Sequence, residues 1–176
     1  MSTAQRWDSL AAGFTARVEG AANWDAPAPC EGWTARDVVD HLAWMPGLYL
    51  GAIGRPVPDL PTEPVAKWHA IDTVVRSLLA DDALLAQDTK TMAGQMTLEA
   101  LISMTGLMDV MVHTWDLARA TGQDETLDAD ECAAFLAGME PMDAMIRDSG
   151  QFGPRVPVSA DADAQTKLLA FTGRTP

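Results

Sequence analysis

Apolar residues in this chain recur at helical spacing almost throughout, and no stretch alternates apolar and polar residues with period two for long. A 3.6-residue period gathers apolar side chains on one stripe of a helix, and that stripe must be buried against other helices. The expected fold is therefore all-α. Residues Thr3 to about Ala22 place Trp7, Leu10, Ala11, Phe14, Val18 and Ala21 on such a stripe. Asn23 to Gly32 carries two prolines and a glycine and reads as a loop. Thr34 is a good N-cap, with Asp37 completing a capping-box-like pair. The helix after it shows Val38, Leu42 and Met45 on one face, and Pro46 is expected to kink or end it.

Residues 51 to 64 are rich in proline and glycine and form a connection long enough for a crossover. Trp68, Ile71, Val74, Val75, Leu78 and Leu79 make a third stripe, from about Glu63 to Leu85. Residues 86 to 96 are polar, contain Gly94, and suit a short extended piece. Thr97 caps the longest helix, which runs to about Thr121 and closes on Gly122. Asp128 starts a fifth helix to about Arg147. A loop then leads to a short helix from Ala164 to Phe171. The sum is a four-helix bundle with one or two additional C-terminal helices.

Bulk properties narrow the function. The 176 residues suit one domain, and a hydrophobic content of 48% supports a core without staples. A net charge of −13, with no cluster of Lys or Arg, excludes a nucleic-acid footprint. Two cysteines, Cys30 and Cys132, form no disulfide framework and fit a reducing compartment. The N-terminus has no visible signal segment, so a cytoplasmic location is expected. The most apolar run, Leu101 to Trp115, is interrupted by Gly106, Asp109 and His113, and no membrane span is expected.

Asp109 and His113 also carry the chemistry. Asp109 lies within LISMTGLMDVMV, where an unpartnered carboxylate is costly. A four-residue offset turns about 400° around a helix, so Asp109 and His113 share one face about 6 Å apart along the axis. One helix can thus offer two ligands to one ion, and His41, on a second helix, would be the third. Two imidazoles and one carboxylate leave coordination positions open, as catalytic sites do. The set fits Zn²⁺, Ni²⁺ or Fe²⁺, and geometry alone does not choose among them. The plainer readings are a core or surface histidine at 41 and an aspartate at 109 that faces solvent or pairs with an arginine.

Other residues have two readings each. Asp116 either orients His113 or pairs with Arg119, with the structural role slightly favoured. Trp33, Trp44 and Trp115 either wall a pocket or pack. Cys30 reads as buried and inert rather than redox-active, and His69 as a partly exposed histidine. Arg36 and Arg55 are candidates to bind an anionic cofactor, but nothing local demands it. No catalytic residue beyond the metal centre and no cofactor-binding residue stands out.

The segments PCEGWTARDVVDHL (Pro29 to Leu42) and MDVMVHTWDLARATGQ (Met108 to Gln123) together resemble the DinB-like metal-binding superfamily. The nearest resemblance is to the N-terminal domain of mycothiol-dependent maleylpyruvate isomerase. The terminal FGPRVPVSADADAQTKLLAFTGR resembles the short, single-domain branch of that group. The resemblance implies one metal-binding domain over residues 1–176, an up-down-down-up bundle, and the ligands His41, Asp109 and His113. In the isomerase the acid is a glutamate, so Asp109 is one methylene shorter. It also implies a thiol cofactor such as mycothiol, activated at the metal for transfer to, or isomerisation of, a small electrophilic substrate. The alternative is a non-catalytic module that binds a small molecule or a structural metal. The chain is expected to be a monomer or a homodimer.

Overall fold

The structure is a computed structural model that describes residues 1–91, 94–148, 150 and 152–176. It is all-α apart from one small hairpin. Helix α1 (Thr3–Gly20) starts on a reciprocal cap in which Ser2 and Gln5 satisfy each other's backbone N–H groups. Its apolar stripe buries Trp7, Leu10, Ala11, Phe14 and Val18. Helix α2 (Ala35–His41) begins with the expected capping pair. The Thr34 hydroxyl accepts from the Asp37 backbone, and the Thr34 N–H donates to Asp37 Oδ2 at 2.8 Å. The bonds from Thr34 hold the Asp37 carboxyl below its ordinary range.

Pro46 acts four residues before its own position. The chain leaves the helix at Leu42 and Ala43 and resumes as α3 (Trp44–Ala52), with Pro46 in the first turn. A proline ring clashes with the carbonyl four residues back and offers it no N–H, so the break falls at Leu42, and Pro46 itself sits where no donor is needed. The third stripe is likewise interrupted. Helix α4 (Pro64–Leu79) ends, and Asp81 caps a separate short turn, α5 (Asp82–Leu85), by accepting from Ala83 and Leu84. The local Asp cap thereby ends the longer helix expected there.

Strand β1 (Asp88–Thr91) pairs antiparallel with β2 (Gly94–Thr97), Asp88 opposite Thr97 and Thr91 opposite Gly94. This is the expected extended piece, of which residues 92 and 93 lie outside the described residues. Helix α6 (Leu98–Thr121) runs between the two predicted caps. Thr97 accepts from Ala100 N at 3.2 Å, and Gly122 adopts φ 70°, a left-handed conformation that glycine takes without strain.

Side-chain bonds fix the helix directions. The start of α1 meets the start of α6 through Thr3 and Glu99, and the ends meet through Arg17 and the Asp124 carbonyl, so these helices are parallel. Trp7 bonds Asp72 while Trp68 bonds Thr15, so α1 and α4 are antiparallel. His41, Trp44 and Tyr49 meet residues 113, 109 and 105 in turn, so α2 and α3 run against α6. The order is up, down, down, up, and residues 53–63 provide the crossover between the two down helices.

The chain divides into two compact units, Met1–Ala28 with Gly32–Asp124, and Pro29–Glu31 with Glu125–Pro176. The second contains α7 (Ala129–Met139), a 3₁₀ turn (Glu140–Met142), α8 (Asp143–Asp148) and α9 (Ala164–Phe171). The single helix expected from Asp128 to Arg147 is interrupted at Pro141, which sits in the 3₁₀ turn between α7 and α8. Within this unit α7 packs on α9, and the Gln165 side chain bonds Leu127 N and the Glu125 carbonyl. Among the described residues no helix is long and apolar enough to cross a membrane.

Candidate metal centre

The site lies within the first unit, where α2 ends opposite the middle of α6. His41 is the last residue of α2, so the break set by Pro46 delivers its imidazole at a helix end. Asp109 and His113 stand one turn apart on α6. His41 Nε2 lies 3.3 Å from Asp109 Oδ2, and His113 Nε2 lies 3.4 Å from Asp109 Oδ1. One donor atom from each of the three falls within 4.8 Å of the others. The structure therefore brings together all three residues singled out from the sequence.

Burial grades across the cluster. The His113 side chain is 6% exposed, Asp109 21% and His41 35%, so the cluster opens toward solvent on the His41 side. Asp116 is fully buried, and its Oδ2 lies 2.8 Å from His113 Nδ1. A carboxylate only accepts, so Nδ1 carries the proton and Nε2 is turned toward Asp109. The sequence slightly favoured a structural role for Asp116, yet this carboxylate orients His113. Spacing alone could not decide, because i+3 partners on both sides of Asp116 were available.

The electrostatics follow from two carboxylates facing two imidazoles. Burial pushes Asp109 upward, but hydrogen bonds from His113 and His41 outweigh it and hold the carboxyl well below its usual range. Burial pushes His113 downward, and the bonds to Asp109 and Asp116 raise it to about 9. Without an ion the cluster thus keeps a proton on His113. With both imidazoles neutral, the form in which they bind metals, the negative charges are left uncompensated and a cation is favoured. The donor chemistry fits a divalent ion of the Zn²⁺, Ni²⁺ or Fe²⁺ kind.

Aromatic residues line the cluster. The Trp33 ring lies nearly parallel to His113 at 5.7 Å and tilted against His41 at 5.1 Å. Trp44 Nε1 donates to Asp109 Oδ2 at 3.1 Å. Trp44 stands three residues after His41, which hinted at proximity, but its bond to Asp109 depends on the turn at residues 42–43. Trp115 is buried, with the Arg119 guanidinium 4.4 Å above its ring, and serves packing.

His69 is partly exposed beside Glu19, as the sequence suggested. Arg55 is exposed on the crossover, and Arg36 is half-buried on α2 next to Asp37. Cys30 belongs to the second unit, half-buried, with Arg174 Nη2 at 3.5 Å from its sulfur. Cys132 is buried, and burial pushes its thiol up to about 12, which removes it as a nucleophile.

The helical bundle with its additional C-terminal helices is that of the DinB-like class of all-α proteins. The chain belongs to the mycothiol maleylpyruvate isomerase N-terminal domain family, whose model matches residues 4–118. It is also similar to two uncharacterized proteins of Mycobacterium tuberculosis, from strains CDC 1551 and H37Rv. Each is 29% identical over 154 residues, covering 85% of this chain and 84% of the relative. No solved structure matches the chain significantly.

Proposed function

We propose that the chain holds one divalent ion, Zn²⁺ first among the candidates, on His41, Asp109 and His113, and uses it to activate a low-molecular-weight thiol of the mycothiol kind. The activated thiol is then transferred to a small electrophile, or promotes its isomerisation. The observation that carries this reading is the convergence of three donor atoms within 4.8 Å on an open-sided cluster. Mycothiol enters through the name of the family.

A bound cation of this kind supplies Lewis acidity, which lowers the pKa of a thiol placed on it. The chain's own residues do the rest. Asp116 keeps the Nδ1 proton on His113, so that Nε2 presents its lone pair. Asp109 contributes the single negative charge among the three ligands, leaving a site of about one positive charge for a thiolate to neutralise. Trp33 stacks on the face of His113 and packs tilted against His41, walling one side of the cluster. The half-exposed edge of His41 marks the side from which a substrate can arrive. Three protein ligands leave a position for an exogenous one, as in catalytic rather than structural zinc sites.

The test uses Co²⁺ in place of Zn²⁺. Adding mycothiol, or a simple thiol such as cysteine, to the Co²⁺-loaded protein is expected to produce a sulfur-to-cobalt charge-transfer band in the near ultraviolet. Model electrophiles should then consume thiol faster than with His113→Ala. Equal consumption by both proteins, with no new band, would overturn the proposal.

A further inference from the structure

Resting on the proposed metal site, we infer that Trp44 is a positioning residue for the ion. It is the terminal member of a support that runs from α6 through Tyr49 and back to Asp109. Trp44 Nε1 donates to Asp109 Oδ2 at 3.1 Å. An indole N–H is a donor only, so it can neither ligate a metal nor move a proton at neutral pH. What it does is fix one carboxylate oxygen, and with it the rotamer of the one acidic ligand.

The indole is itself held. Its ring meets Tyr49 edge-on, at 5.8 Å and 74°. The Tyr49 hydroxyl shares a 2.9 Å hydrogen bond with Thr105 Oγ1, and Thr105 donates to the Leu101 carbonyl. Tyr49 is fully buried and lies directly on Gly106, where an added Cβ would stand 2.5 Å from the phenol oxygen. Helix α6 thus supports Tyr49 at residues 105 and 106, and Tyr49 supports the Trp44 that returns to α6 at residue 109. Glycine at 106 is required by close approach, since its backbone is ordinary helix.

Without this support Asp109 has reasons to reorient. It is short, and its two oxygens face different imidazoles, Oδ2 toward His41 and Oδ1 toward His113. When an ion replaces the bonds between carboxylate and imidazoles, the Trp44 bond is the one that can persist unchanged. Outer partners of metal ligands typically account for about 10- to 100-fold in affinity.

The experiment compares Zn²⁺ affinity, by competition with a chromophoric chelator, in wild type, Trp44→Phe and Tyr49→Phe. Trp44→Phe keeps an aromatic ring, though a smaller one, and deletes the donor. It is expected to weaken Zn²⁺ binding about 10-fold or more and to alter the visible spectrum of bound Co²⁺, while the melting temperature of the metal-free protein changes little. Tyr49→Phe should weaken binding by a smaller factor in the same direction. Wild-type affinity and an unchanged Co²⁺ spectrum in Trp44→Phe would overturn the inference and leave the metal site standing. Failure of the wild type to bind Zn²⁺ would overturn both. If Trp44→Phe does not fold, the indole N–H resonance of Trp44 in the wild type decides. It should be shifted downfield and protected from exchange, and should stay protected when Zn²⁺ is added. A signal at the free-indole position overturns the inference.

Discussion

The first unit contains the same contact twice, a tryptophan N–H on an aspartate of a neighbouring helix, and uses it in two ways. On the seam of α1 and α4, Trp7 Nε1 donates to Asp72 Oδ1 at 2.8 Å, and Arg76 closes the pair with two bonds from Nε. On the seam of α3 and α6, Trp44 Nε1 donates to Asp109 Oδ2 at 3.1 Å, and two imidazoles take the place of the guanidinium. A guanidinium cannot give up its proton or ligate a metal, so Asp72 keeps a fixed cationic partner, which Asp8 shares, and the seam is structural. Imidazoles can lose their protons, so the charge on Asp109 can be passed to an ion. The identity of the cationic partner separates a strut from a site.

The sharpest way to break this contrast is to remove the acids in turn. Asp109→Ala or His113→Ala is expected to reduce Zn²⁺ affinity by more than about 100-fold, since each removes a direct ligand. Asp72→Asn should leave the affinity at the wild-type value and cost about 1–3 kcal/mol of stability, measured by urea unfolding of the metal-free protein. Next in size is Asp116→Asn, which keeps the shape but changes the group that holds His113 Nδ1. It should weaken Zn²⁺ binding about 10- to 100-fold while leaving the ligand set intact.

The two seams should also respond differently to pH. His113 stands at about 9, above its ordinary 6.5, so its contribution to metal-free stability is full below pH 6.5 and is lost as the pH rises through 9. Asp109 is depressed, so its contribution is present above its ordinary 3.8 and is lost as the pH falls below it. The melting temperature of the metal-free wild type should therefore decline between pH 6.5 and 9, and that of His113→Ala should not. Zn²⁺ binding at pH 7 should release about one proton, read by calorimetry in buffers of different ionisation enthalpy. The smallest effect is expected at His69, whose exposed pairing with Glu19 is the kind that contributes little. His69→Ala should alter stability by less than about 0.5 kcal/mol and leave Zn²⁺ affinity unchanged.

Much of this was readable from the residues alone, and the exceptions have local causes. The caps at Thr34, Thr97, Asp128 and Gly122 stand where expected, because a cap is a short-range bond between neighbours. The break caused by Pro46 was readable in kind, but it falls at Leu42 because a proline acts on the carbonyl four residues behind it, and the interruption at Pro141 was overlooked. The cluster of His41, Asp109 and His113 was legible because a polar residue inside an apolar stripe has few exits. The roles of Trp44 and Tyr49 were not, because they depend on the angle between α2 and α3 and on the space left by Gly106. Both belong to packing between helices, which periodicity does not encode.

The most direct test is calorimetric titration of the metal-stripped protein with Zn²⁺ at neutral pH, beside His113→Ala. One tight equivalent per chain in the wild type and none in the variant is the predicted result. No saturable uptake by the wild type, or uptake that the variant retains in full, would contradict it and leave the three residues as a hydrogen-bonded cluster of the core.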